Sequence, residues 1–315
     1  MAMFMLILIW GGSFAVTKTA VAYLEPEFLV LCRMCLGAAV FLLCWKRLRR
    51  TKIFRKDIPI LIVMVLFEPC MFFLLESYAL MNTSSSQAGM IVATAPLFTA
   101  IAAWTVLREK PSFLMWLGFI ISIFGIVLLN FNSAETSAAP NPILGNILQM
   151  LGMCCGAGFI VCVRLIGSRY PPFFMAAYQA VAGSVFFIIL NIARGTRIPD
   201  SIELVPMLCI LYLGVLMTVG GISFFNYAVA RLPAATSAGL LNLVPFVAVL
   251  IGAFVLNEDL SAVQWVAGMF VITGVLISQR AKVHVRARNK TRSASGSSAV
   301  KPPAPAVGCR CEKWT

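Results

Sequence analysis

The chain has 315 residues, of which 60% are hydrophobic and 12% charged, with a net charge of +13 and a mean hydropathy of +0.92. Charged residues are about half the share that a water-exposed surface needs, which excludes a soluble globular domain. Apolar runs of about 20 residues recur along the whole length, so the expected fold class is an all-α integral membrane protein.

Helix 1 is predicted over 2–23. Ala20-Val21-Ala22 imitates a signal-peptidase site, but no basic residue precedes the run and Lys18 interrupts its end, which predicts a retained helix. Trp10, followed by Gly11 and Gly12, marks close packing and is a candidate cavity wall. Helix 2 is predicted over 27–45 and helix 3 over 58–80. They carry Arg33, Glu68 and Glu76 inside the apolar runs. Charges there are costly unless paired or hydrated, so each is a functional candidate. Lys18, Arg33 and Glu76 lie roughly 6–9 Å from the outer ends of their helices. They are expected to form one cluster, either a structural ion-pair lock or an outer gate. Glu68 lies deeper, about 18 Å from the outer end, with no basic partner expected at that depth and Pro69 following it. An isolated carboxyl in low dielectric favours its neutral form, which suits a proton-coupling site or a bond to a nearby carbonyl.

Helix 4, predicted over 86–107, opens with "TSSSQAGMIVATAPLF" at 83–98. Thr83 or Ser84 can cap it, the small residues allow close packing, and Pro96 should open the preceding turn near mid-membrane. Thr94 and Pro96 are candidates to line a cavity. Helix 5 is predicted over 111–131, followed by a polar loop at 132–142, "NSAETSAAPNP". Helices 6 to 10 are predicted over 143–167, 172–192, 205–230, 234–256 and 261–279. Asn226 in helix 8, and Asn242 and Pro245 in helix 9, are further cavity candidates. The segment 280–315 is basic and rich in Ser, Ala and Pro, which predicts a disordered tail.

Ten crossings put 21 lysines and arginines on one side, including seven in the loop between helices 2 and 3, against Arg194 and Arg197 on the other. The positive-inside rule then predicts both termini in the cytoplasm of a multi-pass plasma or inner membrane protein. These charges face the anionic lipids of the inner leaflet, and no nucleic-acid partner is expected. Eight of ten cysteines fall in apolar spans and read as small hydrophobes. The only histidine, His284, lies in the tail, which excludes histidine-based triads and histidine metal sites in the membrane. No Walker A motif occurs, and Asp57, Asp200 and Asp259 all fall in loops. No enzyme, metal site or cofactor is therefore expected.

A shift of 149 residues lays Tyr78-Ala79 on Tyr227-Ala228, Pro96 on Pro245, Glu109 on Glu258, Trp116 on Trp265 and Gly125 on Gly274. A shift of 146 pairs Lys18 with Arg164, Pro26 with Pro172, Arg33 with Gln179 and Gly37 with Gly183. This defines two repeats, 1–131 and 143–279, joined by the external loop 132–142. Each has five spans, an odd number, so the second should insert upside down, as in secondary transporters.

On the segments "WGGSFAVTKTAV" (10–21), "SYALMNTSSSQAGMIVATAPLF" (77–98), "VLREKPSFLMWLGFIISIFGIVLLNF" (106–131) and "NYAVARLPAATSAGLLNLVPFVAVLIGAFVLNEDLS" (226–261), the chain resembles EamA-type permeases of the drug/metabolite transporter (DMT) superfamily. The resemblance covers about 1–280. It implies a ten-helix, five-plus-five carrier whose central pocket is lined largely by helices 1, 3, 4, 6, 8 and 9. The expected function is secondary transport, the export of a small polar, amino acid-like metabolite by alternating access. A passive channel or facilitator, or a membrane scaffold, is the alternative.

Overall fold

The computed structural model describes residues 2–43, 48–49, 51–108, 112–131, 135–136, 139–197, 199, 201–221 and 243–278. Among them there is no strand, and an isolated bridge joins Thr136 and Ala139. The helices are α1 Ala2–Ala20, α2 Pro26–Leu43, α3 Arg55–Asn82, α4 Ser85–Leu107 and α5 Phe113–Phe131. They continue with α6 Pro142–Ile166, α7 Pro172–Arg194, α8 Leu204–Gly220, α9 Val244–Val255 and α10 Ala262–Ser278. Six of these, α2 to α7, are long and apolar enough to cross a membrane, and the other four are shorter apolar helices.

The predicted spans and the observed helices agree to within a few residues, with three informative exceptions. Helix 1 stops at Ala20, because the chain tightens into a turn, with Tyr23 N donating to Ala20 O at 3.1 Å. The latter part of predicted helix 8 and the first nine residues of predicted helix 9 lie outside the described residues, as does the tail. The third exception is that α3, α4 and α8 are interrupted. In α4 the chain turns at Ala93 and Thr94, and Pro96 sits in the first turn of the second half, Ala95–Leu107. Proline lacks an N–H that this first turn does not need, so it restarts the helix rather than bending it. Pro245 holds the equivalent place at the start of α9.

Large apolar side chains face outward along the helices, Phe113, Ile192 and Phe254 among them, each at least 77% exposed. Such a surface would associate in water and is at home in hydrocarbon. Small residues let the helices approach. A Cβ on Gly89 would lie 2.6 Å from the Ala248 Cβ, which brings α4 against α9.

The α5–α10 crossing is tighter still. A Cβ on Gly118 would collide with the Gly274 carbonyl, and one on Gly274 with the Gly118 carbonyl. A Cβ on Gly125 would lie 2.8 Å from Ala267 O and 2.9 Å from Val271 N. Between these contacts, Ser122 Oγ donates to Val271 O at 3.1 Å. Positions rise along α5 as they fall along α10, so the two helices run antiparallel. Under the 149-residue shift Gly125 corresponds to Gly274, Gly118 to Ala267 and Ser122 to Val271. The Gly125–Ala267 contact is thus the counterpart of Gly274–Gly118, and Ser122 meets its own counterpart.

Polar ties lock both ends of α3. At one end, Asp57, 2% exposed, pairs with Arg169 and accepts from the Tyr170 hydroxyl at 3.0 Å. At the other, Tyr78 and Arg194 both donate to Glu27, and Asn191 Nδ2 donates to Glu27 O at 3.1 Å. Asp57→Asn leaves the Tyr170 bond but removes the charge that answers Arg169. A stability loss of about 1–3 kcal/mol is expected, read as a lower Tm in detergent.

Candidate functional site

Two broken helices meet around Arg33. In α3 the α-helix gives way to a wide turn over Leu66–Met71, within which Glu68 has an extended backbone (φ −146°, ψ 120°). Pro69 cannot donate a backbone bond, so the carbonyls before it must find other partners. Gln179 Nε2 of α7 reaches the Glu68 carbonyl at 2.9 Å. In α8 a similar wide turn runs over Tyr212–Gly220 without any proline, and Thr218 Oγ1 donates to Leu213 O, five residues back, at 2.8 Å. Wide turns of this kind open a helix where a side chain or ligand must enter.

Two glycines make room for these breaks. A Cβ on Gly183 of α7 would lie 2.6 Å from the Pro69 ring, and one on Gly37 of α2 would lie 3.2 Å from Thr218 Cγ2. Gly37 and Gly183 are counterparts under the 146-residue shift, so each broken helix leans on the equivalent glycine of a neighbour.

Arg33, 3% exposed, projects from α2 between the breaks. Its guanidinium lies 3.7 Å from the Phe73 ring centroid, Nε reaches Thr218 Oγ1 at 3.4 Å, and another nitrogen lies against the Met217 sulfur. The cation–π contact and the α8 turn hold the charge in place. Glu76 and Glu68 both act on Arg33 electrostatically. Glu76 is 6% exposed and Glu68 is half-buried, and neither carboxylate makes a hydrogen bond or close ion pair among the described residues.

This arrangement corrects two expectations. Glu68 does have a basic neighbour, because Arg33 reaches the level between Glu68 and Glu76 and its field acts on both. The cluster of Lys18, Arg33 and Glu76 is divided. Lys18 Nζ donates to Leu80 O at 2.5 Å and Thr83 O at 2.8 Å, and the nearby acid acting on it is Glu258. Similar depth put the three residues together in the sequence, but α1 and α2 turn their charges toward different neighbours.

A second polar group surrounds the start of α4 and explains its run of hydroxyls. Ser84 caps the helix, accepting from Gln87 N. The Glu258 carboxylate accepts from Ser85 N at 2.7 Å, Ser85 Oγ at 2.9 Å and Ser86 N at 2.9 Å. A carboxylate at a helix N-terminus satisfies free N–H groups and complements the helix dipole. Thr83 Oγ1 contacts Asn146 Oδ1 at 2.8 Å, and Asn146 Nδ2 bridges to Gln87 and Asn130.

The predicted cavity residues divide as well. Trp10 packs with Val92 and Val247 among α1, α4 and α9. Thr94, 1% exposed, spends its hydroxyl on Ile91 O at 2.6 Å, so the structure gives it a local helix-turn bond. Pro96 and Pro245 mark the starts of helical segments. Asn226 and Asn242 lie outside the described residues. Sequence reasoning missed Glu258 as a cap and also Gln149, fully buried in α6 with both amide atoms unpartnered among the described residues. A glutamine near the middle of a membrane-length span was the available signal for Gln149.

A model of the EamA-like transporter family matches residues 1–131 and 143–279. The uncharacterized transporter YcxC of Bacillus subtilis strain 168 is 25% identical over 277 residues, covering 84% of this chain and 88% of that protein. The uncharacterized inner membrane transporter YedA of Escherichia coli strain K12 is 28% identical over 283 residues, covering 88% and 89%. A solved crystal structure superposes with a TM-score of 0.61 at 17% identity, over 89% of this chain and 96% of that one, a likeness of fold. Apolar helices of membrane-crossing length and a family match over nearly the whole helical region converge: the chain belongs to the EamA-like transporter family of the DMT superfamily and is a membrane transporter.

Proposed function

We propose that the protein is a secondary carrier of ten crossings, in which residues 1–131 and 143–279 form two inverted halves that rock about a central pathway. The carrying observation is the antiparallel α5–α10 crossing, where counterpart residues meet each other. Contacts that exchange under the shift require a two-fold relation. Because the two helices are antiparallel, its axis runs across them, as an inverted repeat demands. The matched glycines at the breaks of α3 and α8 support the same relation. The lysine and arginine asymmetry supports cytoplasmic termini.

The solute is a small polar, amino acid-like metabolite moving outward by alternating access, with Glu68 as the proton-coupling residue. In support, Glu68 sits at a helix break, where its carboxylate has no direct partner among the described residues. Glu68→Gln is expected to abolish the dependence of transport on a pH gradient while leaving the protein folded. Proton-driven transport that persists unchanged in this variant would remove the coupling role. Counterflow in proteoliposomes tests the carrier itself. Unlabelled internal solute should drive transient uptake of labelled solute above equilibrium, which a passive channel or a scaffold does not do.

A further inference from the structure

The charges around Arg33 do not balance. We propose that Glu68 and Glu76 form one exchange site, holding either a single proton or the ammonium group of a cationic amine solute, with Arg33 as the fixed counter-charge. This rests on the carrier reading above and names its solute class.

Arginine stays charged in proteins, so with both carboxylates ionised the group carries one excess negative charge. A buried excess charge is costly and must be answered by a proton or a cation. The structure shows room for such an answer. Glu76 is 6% exposed, yet its oxygens have no hydrogen-bond or ion-pair partner among the described residues, and the same holds for the side chain of Glu68. A carboxylate as buried as that of Glu76, left in this state, points to a missing donor.

The surroundings select the donor. From the neighbouring elements, Arg33 on α2, Gln179 on α7, and Met217 and Thr218 on α8 face the group. Arg33 is the charged side chain that acts on both glutamates from another helix. A hard metal cation needs a cage of oxygens, but the Glu68 carbonyl already serves Gln179. A quaternary ammonium needs an open aromatic face, but Arg33 covers Phe73 at 3.7 Å. An ammonium with N–H donors matches two carboxylates that lack them. Arg33 repels a second cation and so limits the site to one, which makes proton and amine alternatives and their movements opposite.

The experiment uses the full chain in proteoliposomes, with counterflow of labelled cadaverine, lysine, alanine and succinate across a range of pH. Low pH protonates the pair and expels the amine, whereas high pH frees the carboxylates for it. Cadaverine or lysine should be exchanged best. Their rate at low concentration should fall about tenfold per pH unit on the acid side, as one-site competition requires. In Glu68→Gln and in Glu76→Gln the group is neutral, so cationic exchange should fall at least about tenfold and its pH dependence should flatten. If either variant fails to fold, the wild-type pH series and proton release on adding cadaverine decide. Preference for alanine or succinate, or a sodium requirement, overturns the amine site and leaves the carrier reading intact. Counterflow of none of the four overturns both.

Discussion

Gly274→Leu is expected to leave little folded protein. The Gly274 position faces the Gly118 carbonyl and Ser122 across the α5–α10 crossing, so even a methyl group meets main chain, which cannot step aside as a side chain can. Overpacking in well-packed interiors costs about 1–3 kcal/mol where side chains can rearrange, and a leucine against backbone should reach the upper end or beyond. Gly118→Leu should behave alike, because the two positions face each other. Gly156→Ala is the control. Its Cβ would meet the Phe72 ring at 3.4–3.5 Å, an ordinary contact, and the variant should fold and run as wild type on size exclusion. Equal Tm values for Gly274→Leu and wild type would show that the crossing is looser than described.

Glu258→Gln should loosen the start of α4 without unfolding the chain. The substitution removes the charge that three donors from Ser85 and Ser86 share, and an amide nitrogen replaces one acceptor. Charge-assisted bonds and the helix dipole together make about 2 kcal/mol a reasonable loss. If the cap opens locally, the Ser85 and Ser86 amides should exchange hydrogen about 20–30-fold faster. Protection unchanged at both amides would mean that Glu258 is not what holds them. Lys18, on which Glu258 also acts, keeps its bonds to Leu80 and Thr83 in this variant.

Much of the architecture was legible because hydrocarbon imposes one rule on every span. Long apolar runs must be helices, and the runs give their own lengths. Pro96 also read correctly as an interruption, although the break falls just before it, at Ala93 and Thr94, since proline is tolerated in a first turn. The site was harder to read. Depth along a helix follows from counting residues, but azimuth does not follow for spans that are apolar on every side. That is why Lys18 was grouped with Arg33 and Glu76, and why Arg33 was not matched with Glu68. The α8 break has no proline to announce it. Glu258 reaches Ser85 across 173 positions of sequence, a pairing that no local pattern encodes.

The Ser122–Val271 contact carries a consequence for how changes combine. Under the proposed symmetry these two residues occupy the same site seen from opposite directions. Trading them, Ser122→Val together with Val271→Ser, hands the hydroxyl from one helix of the seam to the other and keeps one donor facing one carbonyl. Trading Gly118 with Ala267 instead drives a methyl into the Gly274 carbonyl, which is main chain and cannot step aside. The centre of the crossing should therefore forgive a reciprocal exchange that its flanks punish.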